Sequence, residues 1–155
     1  MRIVEASTEK PIPVEIYPVE KSELKLFSKK RYSFDWSSES KFEVYKLVIS
    51  RTEDALGLIS MDRIPQEWRI HIRLIAVSKE NLGSGKIYEN IAGVLIAYAS
   101  KIALEDFGEH ACISLKPKTQ IAKLYMEKYN MKITGMLLSL EVPELLNLIN
   151  RYDYD

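Results

Sequence analysis

The chain has 155 residues, 22 basic against 22 acidic side chains and one cysteine. A chain of this length makes a single domain, 1–155, and buries about 68–70% of its unfolded surface without help from disulfides or metal. Balanced charge argues against nucleic acid or an anionic membrane as partner, and lone Cys112 cannot close an internal disulfide. No apolar run approaches the roughly 18 residues of a membrane span. The opening MRIVEASTEKPIP lacks the apolar segment of a secretory signal, so the expectation is a cytoplasmic protein.

In chain order, Pro11, Pro13 and Pro18 bracket Val14-Glu15-Ile16-Tyr17, which predicts a short edge strand because proline cannot donate to a ladder. Residues 21–30 predict a helix, and 32–40, mixing aromatics with turn formers, a loop. Apolar strands follow over 43–50 and 55–61, with a turn at 62–66. From Trp68 to Val77 side chains alternate. Trp68, Ile70, Ile72, Leu74 and Ala76 fall on one face; Arg69, His71, Arg73, Ile75 and Val77 fall on the other. Beyond Gly83-Ser84-Gly85, Ile87, Ile91, Val94, Leu95, Tyr98 and Ile102 recur at helical spacing to about Asp106, and Gly108 is the stop. A strand over 110–115, a helix over 120–129, extended chain over 132–142 and a helix over 143–152 complete the pattern. The order predicts an α/β (α+β) domain with one mixed central β-sheet flanked by helices.

The glycine pair invites comparison with phosphate-binding loops. A Walker A loop needs G-x-x-x-x-G-K-[ST], but Gly83 and Gly85 are too close and Ile87 follows Lys86. A dinucleotide fingerprint needs a third glycine where Tyr88 stands. Two readings remain: a strand-to-helix turn, or an anion site built from the loop amides and the N–H groups of a helix starting near Lys86.

The surroundings of the loop carry a resemblance. The apolar strand ending Leu74-Ile-Ala-Val77, then Glu80-Asn-Leu-Gly83-Ser-Gly85 and a long helix, resembles motif A of the GNAT family of N-acetyltransferases. Ala111-Cys-Ile-Ser-Leu115 and Ile121 to Met131 resemble that family's motif B. The resemblance implies a V-shaped opening between two central strands for the arm of acetyl-CoA. It implies backbone contacts to pantetheine from Ile75, Ala76 and Val77, and a pyrophosphate wrapped by Leu82, Gly83, Ser84, Gly85 and Lys86. Lys118 would lie toward the adenosine end.

The departures bear on chemistry. Glu80 stands where the family has Gln or Arg, and a carboxylate there repels a pyrophosphate unless it turns away. The family's general-base Glu is replaced by Arg73. That leaves His71, two residues back and titrating near neutrality, as the candidate base, with Asp62 and Glu67 acting through water as other candidates. Arg69 and Arg73 lower its pKa, or grip an anionic group of the substrate. The family's general acid is a motif B tyrosine. A gapless alignment on Asn130-Met131 gives Met126, and one extra residue in the helix gives Tyr125, which alone of the two can donate a proton.

The function so implied is transfer of acetyl from acetyl-CoA to an amine, on a small molecule or a protein, by direct attack in a ternary complex. A non-catalytic module that binds acyl-CoA or a protein partner is the alternative, motivated by Glu80, Arg73 and Met126. No metal site is expected, since His110 has no partner at ligand spacing. Phe34 and Trp36 either line an acceptor entrance or pack, and the region of Val14 or the last helix offers a surface for a homodimer.

Overall fold

β-branched and aromatic residues at alternating positions draw segments from along the whole chain into one sheet. The computed structural model describes residues 1–116 and 119–153, and only the backbone of 119–121. The described strands are β1 (Arg2–Glu5), β2 (Pro11–Pro18), β3 (Glu43–Ile49), β4 (Ala55–Ile64), β5 (Arg69–Val77), β6 (Tyr88–Glu89), β7 (Cys112–Leu115), β8 (Lys132–Thr134) and β9 (Leu137–Glu141). They lie in the order β6-β1-β2-β3-β4-β5-β7-β9-β8. Every described pairing is antiparallel except β5 with β7. That parallel pair is joined by the long helix α2 (Ile91–Phe107), as a crossover requires.

The helix α2 is buried almost all round: Val94, Leu95, Ile96, Ala97, Ala99 and Ala103 have no exposure. A helix apolar on every side must be covered on every side. The sheet covers one flank and α4 (Val142–Tyr152) the other, through Leu145, Leu148 and Tyr152. On the opposite face of the sheet, two short 3-10 turns and α1 (Lys29–Tyr32) close a second core around Leu24, Tyr32, Trp36, Val44, Leu58 and Ala76. The remaining helix, α3 (Thr119–Tyr129), stands between β7 and β8 in the chain. No helix among the described residues is long and apolar enough to cross a membrane.

Three expectations change. β2 is longer than Val14–Tyr17 and is not an edge: residues 11–13 pair with β1 and 14–18 with β3. Each half is paired on one side only, so the prolines never interrupt a doubly paired stretch, and Val14 is 5% exposed rather than open to a second copy. The stretch 21–30 forms a 3-10 turn, Lys21–Leu26, and the single α turn of α1 instead of one helix. The third change concerns β5. Ser60 pairs with Leu74 and Met61 with Ile72, so Arg73 is an extra residue, a bulge. Strict alternation fails there: Ile70, Ile72, Ile75 and Val77 pack with the α2 core, whereas Leu74 and Ala76 pack with the other.

Candidate active site

The bulge at Arg73 coincides with a parting of strands. β5 pairs with β7 through four residues, Arg69↔Cys112 to Ile72↔Leu115, and from Arg73 to Val77 no described strand takes over on that side. Backbone groups of residues 73–77 that point away from β4 therefore face a gap. A cavity of about 480 Å³ occupies it, walled by Ile75, Ala76 and Val77 on the strand, by Leu124, Tyr125, Lys128 and Tyr129 of α3, and by Phe34. Phe34 is thus a wall residue. Trp36 is wholly buried and donates its indole N–H to Tyr32 O at 3.1 Å.

Tyr125 and Met126 separate clearly. Tyr125 lines the cavity, with its ring 5.3 Å from that of Tyr129, and burial raises its pKa. Met126, about 100° further round the helix, is 36% exposed. At the end of α3, Asn130 takes a left-handed conformation (φ 58°), as a helix-ending residue does, and Met131 N–H reaches back six residues to Tyr125 O at 3.5 Å. The usual closure of this kind spans five residues.

The glycine loop differs from expectation. α2 begins at Ile91, not near Lys86, and Tyr88-Glu89 between them pair with β1. The helix amides that point outward without a side-chain cap therefore belong to Ile91–Gly93, behind Asn90 at φ 76°. A recess of about 150 Å³ opens there, lined by Leu82, Gly83, Lys86, Asn90, Ala92 and Lys128 among others. It shares Val77, Leu82, Ala92, Lys128 and Tyr129 with the larger cavity, so the two are continuous. Ser84 and Gly85 do not line it. Gly83 needs its left-handed backbone (φ 73°), whereas a Cβ at Gly85 would meet nothing within 4 Å.

Glu80 is paired with a cation. Arg31 of α1 donates to it at 2.5 and 3.1 Å and to Asp54 at 2.7 and 2.9 Å, so α1 is tied to the turn before the loop. The guanidinium holds the pKa of Glu80 below the usual carboxylate range. Lys118 lies outside the described residues.

At the vertex, Arg73 lines the cavity and lies over the Phe42 ring, 3.7 Å from its centroid. Its Nε donates to Glu39 at 3.0 Å. Glu39, whose side chain is 3% exposed, also accepts from Ser60 Oγ at 2.8 Å and Ser38 Oγ at 3.3 Å. Burial alone would raise its pKa, but Arg73, Ser60 and Ser38 together hold it low. No sequence signal marked Glu39 or Phe42, because their partner is 34 residues away in the case of Glu39 and chosen by the fold.

His71 does not line the cavity. It sits in the paired part of β5 opposite Ser114, whose Oγ is 2.9 Å from its Nδ1. Arg69 Nη1 donates to that same oxygen at 2.6 Å and lies 3.4 Å from Nδ1, so Nδ1 is held within this cluster. Burial first, then Arg69 and Arg73, lower the pKa of His71. Glu67 is engaged by Arg69 at 2.8 Å, and Asp62 pairs in register with His71.

No protein-family model and no curated protein matches this sequence. Solved structures do. The AtaT toxin, in a tyrosine-to-phenylalanine form bound to the C-terminus of its antitoxin AtaR and acetyl-CoA, superposes with a TM-score of 0.61 at 12% identity, over 88% of this chain and 98% of that one. Glutamate-to-glutamine forms of the spermidine/spermine N-acetyltransferase SpeG from Vibrio cholerae give 0.61 at 11% identity, over 86% and 96%. The PaiA N-acetyltransferase from Thermoplasma acidophilum, in complex with coenzyme A, gives 0.60 at 14% identity, over 84% and 100%. A mixed sheet opened at one parallel pair, a cavity in the gap and these superpositions lead to one conclusion: the chain has the fold of the GNAT acetyltransferases.

Proposed function

We propose that the chain is an acetyl-CoA-dependent N-acetyltransferase. The observation that carries the proposal is the parting of β5 from β7 after Ile72, which leaves a cavity running from a strand vertex to the start of α2. Relatives in fold that hold acetyl-CoA or coenzyme A support the choice of donor. The residues present fit that molecule. A slender amide-bearing arm matches the unpaired backbone of Ile75, Ala76 and Val77, and a pyrophosphate matches the recess at the helix start. There Leu82, Gly83 and Lys86 would wrap the phosphates, joined by the amides of Ile91–Gly93 and by Lys128, with Ser84 and Gly85 on the loop outside the recess.

Acetyl-CoA supplies an acetyl group activated as a thioester. The remaining work falls to the chain. Strand 75–77 aligns the reacting carbonyl, and much of the rate gain comes from holding donor and amine together. Tyr125, kept protonated by its burial, carries at its hydroxyl the proton that the departing sulfur takes up. The amine must lose a proton to attack. His71 lies outside the cavity lining with Nδ1 against Ser114, so deprotonation passes to water at the cavity mouth, with His71 as a reserve acceptor through that water.

The test is release of free thiol from acetyl-CoA in the presence of a broad set of small amines and amine-bearing peptides, with mass spectrometry of the acceptor. Amine-dependent thiol release with a matching 42-dalton gain supports the proposal, that increment being about the mass of one acetyl in place of hydrogen. Saturable acetyl-CoA binding without turnover on any amine would make the chain a binding module, the reading that Arg73 in place of a carboxylate base favours.

A further inference from the structure

The charged residues that line the cavity itself have one sign, whereas the recess continuous with it also holds Glu89, 3.9 Å from Lys86. Among the cavity's described lining residues Arg73, Lys116 and Lys128 are cationic, and none is an aspartate or glutamate. Lys128 also lines the recess at the start of α2 and belongs to the phosphate end. Arg73 and Lys116 stand at the other end. Ile72 and Leu115 form the last pair of β5 and β7, and Arg73 and Lys116 are the next residue on each strand. The two cations thus flank the vertex where the strands part.

Arg73 is preset for a ligand. Glu39 engages Nε at 3.0 Å and Nη2 at 3.5 Å, and Phe42 covers one face of the guanidinium. Nη1 has no hydrogen-bond partner among the described residues, and the side chain is 37% exposed. Glu39 itself is 3% exposed and cannot reach a ligand, so it is a positioning residue that acts through Arg73.

We infer that the acceptor is a small amine bearing its own carboxylate or phosphate, which Arg73 and Lys116 hold at the strand vertex. The inference rests on the acetyltransferase reading and names its substrate class. A fork of N–H donors fixed from behind suits a planar or tetrahedral oxyanion. A purely cationic acceptor such as a polyamine finds no carboxylate lining this cavity, meets the Lys116 ammonium, and cannot use Arg73, whose charge Glu39 balances but whose free N–H donors suit only an acceptor group, which disfavours it. The chain's 22 basic and 22 acidic residues supply no general excess of positive charge for a long polyanion, so the anion is part of a small molecule.

The experiment measures kcat/KM with acetyl-CoA for matched amines: free α-amino acids, their carboxamides, O-phosphoethanolamine, ethanolamine and spermidine. The carboxylate or the phosphate member should exceed its neutral match by about 10-fold or more, and the comparison between the two identifies which anion is read. The preference should collapse in Arg73→Gln combined with Glu39→Gln, a pair that leaves no buried unpaired charge. Circular dichroism and acetyl-CoA affinity should stay as in the wild type. Preference for neutral amines or spermidine, an unchanged preference in the double variant, or no turnover of anionic amines despite bound acetyl-CoA would each overturn the inference. Loss of acetyl-CoA binding in the wild type would instead remove the acetyltransferase reading, and the inference with it.

Discussion

Replacing Glu39 by alanine tests whether the buried carboxylate organises the strand vertex. The change removes hydrogen bonds from Ser60 at 2.8 Å, Arg73 at 3.0 Å and Ser38 at 3.3 Å. Arg73, partly exposed, recovers solvation in water and costs little. Ser60 has no exposure, and its hydroxyl is left without its acceptor, at about 1–3 kcal/mol. The lost charge-assisted bond adds about 1.5–3 kcal/mol, and relief of the carboxylate's desolvation returns part of that. The net is a loss of about 3 kcal/mol, or a Tm lower by on the order of 10 °C for a chain of this size. Glu39→Gln keeps an acceptor for Ser60 and should cost about 1 kcal/mol. Because the partners hold the pKa of Glu39 low, its contribution is complete above the ordinary carboxylate range and is lost as pH falls through the lowered value. Urea unfolding of wild type and Glu39→Ala near pH 7 and again at about pH 3 should therefore show a large difference that shrinks in acid. A difference below about 1 kcal/mol near neutrality, or one that does not shrink, would refute the reasoning.

Three further outcomes follow from the same structure. Gly93→Ala gains about 1 kcal/mol of helix propensity, yet its Cβ would lie 2.5 Å from Cζ of the buried Tyr152 ring, and overpacking costs about 1–3 kcal/mol. Urea midpoints should show net destabilisation, relieved by Tyr152→Leu; a stabilised single variant would mean that α4 yields freely. Tyr125→Phe should lower kcat about 100-fold with acetyl-CoA affinity intact, while exposed Met126→Leu changes neither by more than about twofold, as steady-state and calorimetric measurements would show. For His71 the lowered pKa means that the neutral ring is favoured in the folded chain, so stability falls as pH drops below the ordinary histidine value toward the lowered one. Unfolding series between about pH 7 and pH 5 should show that loss in the wild type and not in His71→Gln, in a window where Glu39 stays ionised.

The elements with long periodic patterns were legible: β3, β5 and α4 fall where apolar spacing put them, as do the body and end of α2, which Gly108 closes with φ 59°. What escaped is non-local. β1 and β6 are four and two residues long and owe their existence to pairing, β6 with β1 and β1 with both β6 and β2. The bulge at Arg73 is set by the register with β4, which alternation along one strand cannot reveal. The site follows the same division. Residues 75–77 were readable as strand beside a loop, and they do line the gap. The helix start was misplaced by five residues because Ile87 mimics the first apolar position of α2, and Asn90, not a glycine, supplies the left-handed residue before it. Glu80 is a liability in the sequence alone, and the fold sets Arg31 against it.

Calorimetric titration of the purified protein with acetyl-CoA, beside Ala92→Glu and Gly85→Glu variants of verified fold, tests the central claim most directly. Ala92 lines both the cavity and the recess at the second position of α2, where a glutamate suits the helix but opposes a bound phosphate. The account predicts saturable binding to the wild type, abolished by Ala92→Glu and weakened less by Gly85→Glu. No binding to the wild type at millimolar acetyl-CoA, or undiminished binding to Ala92→Glu, would contradict it.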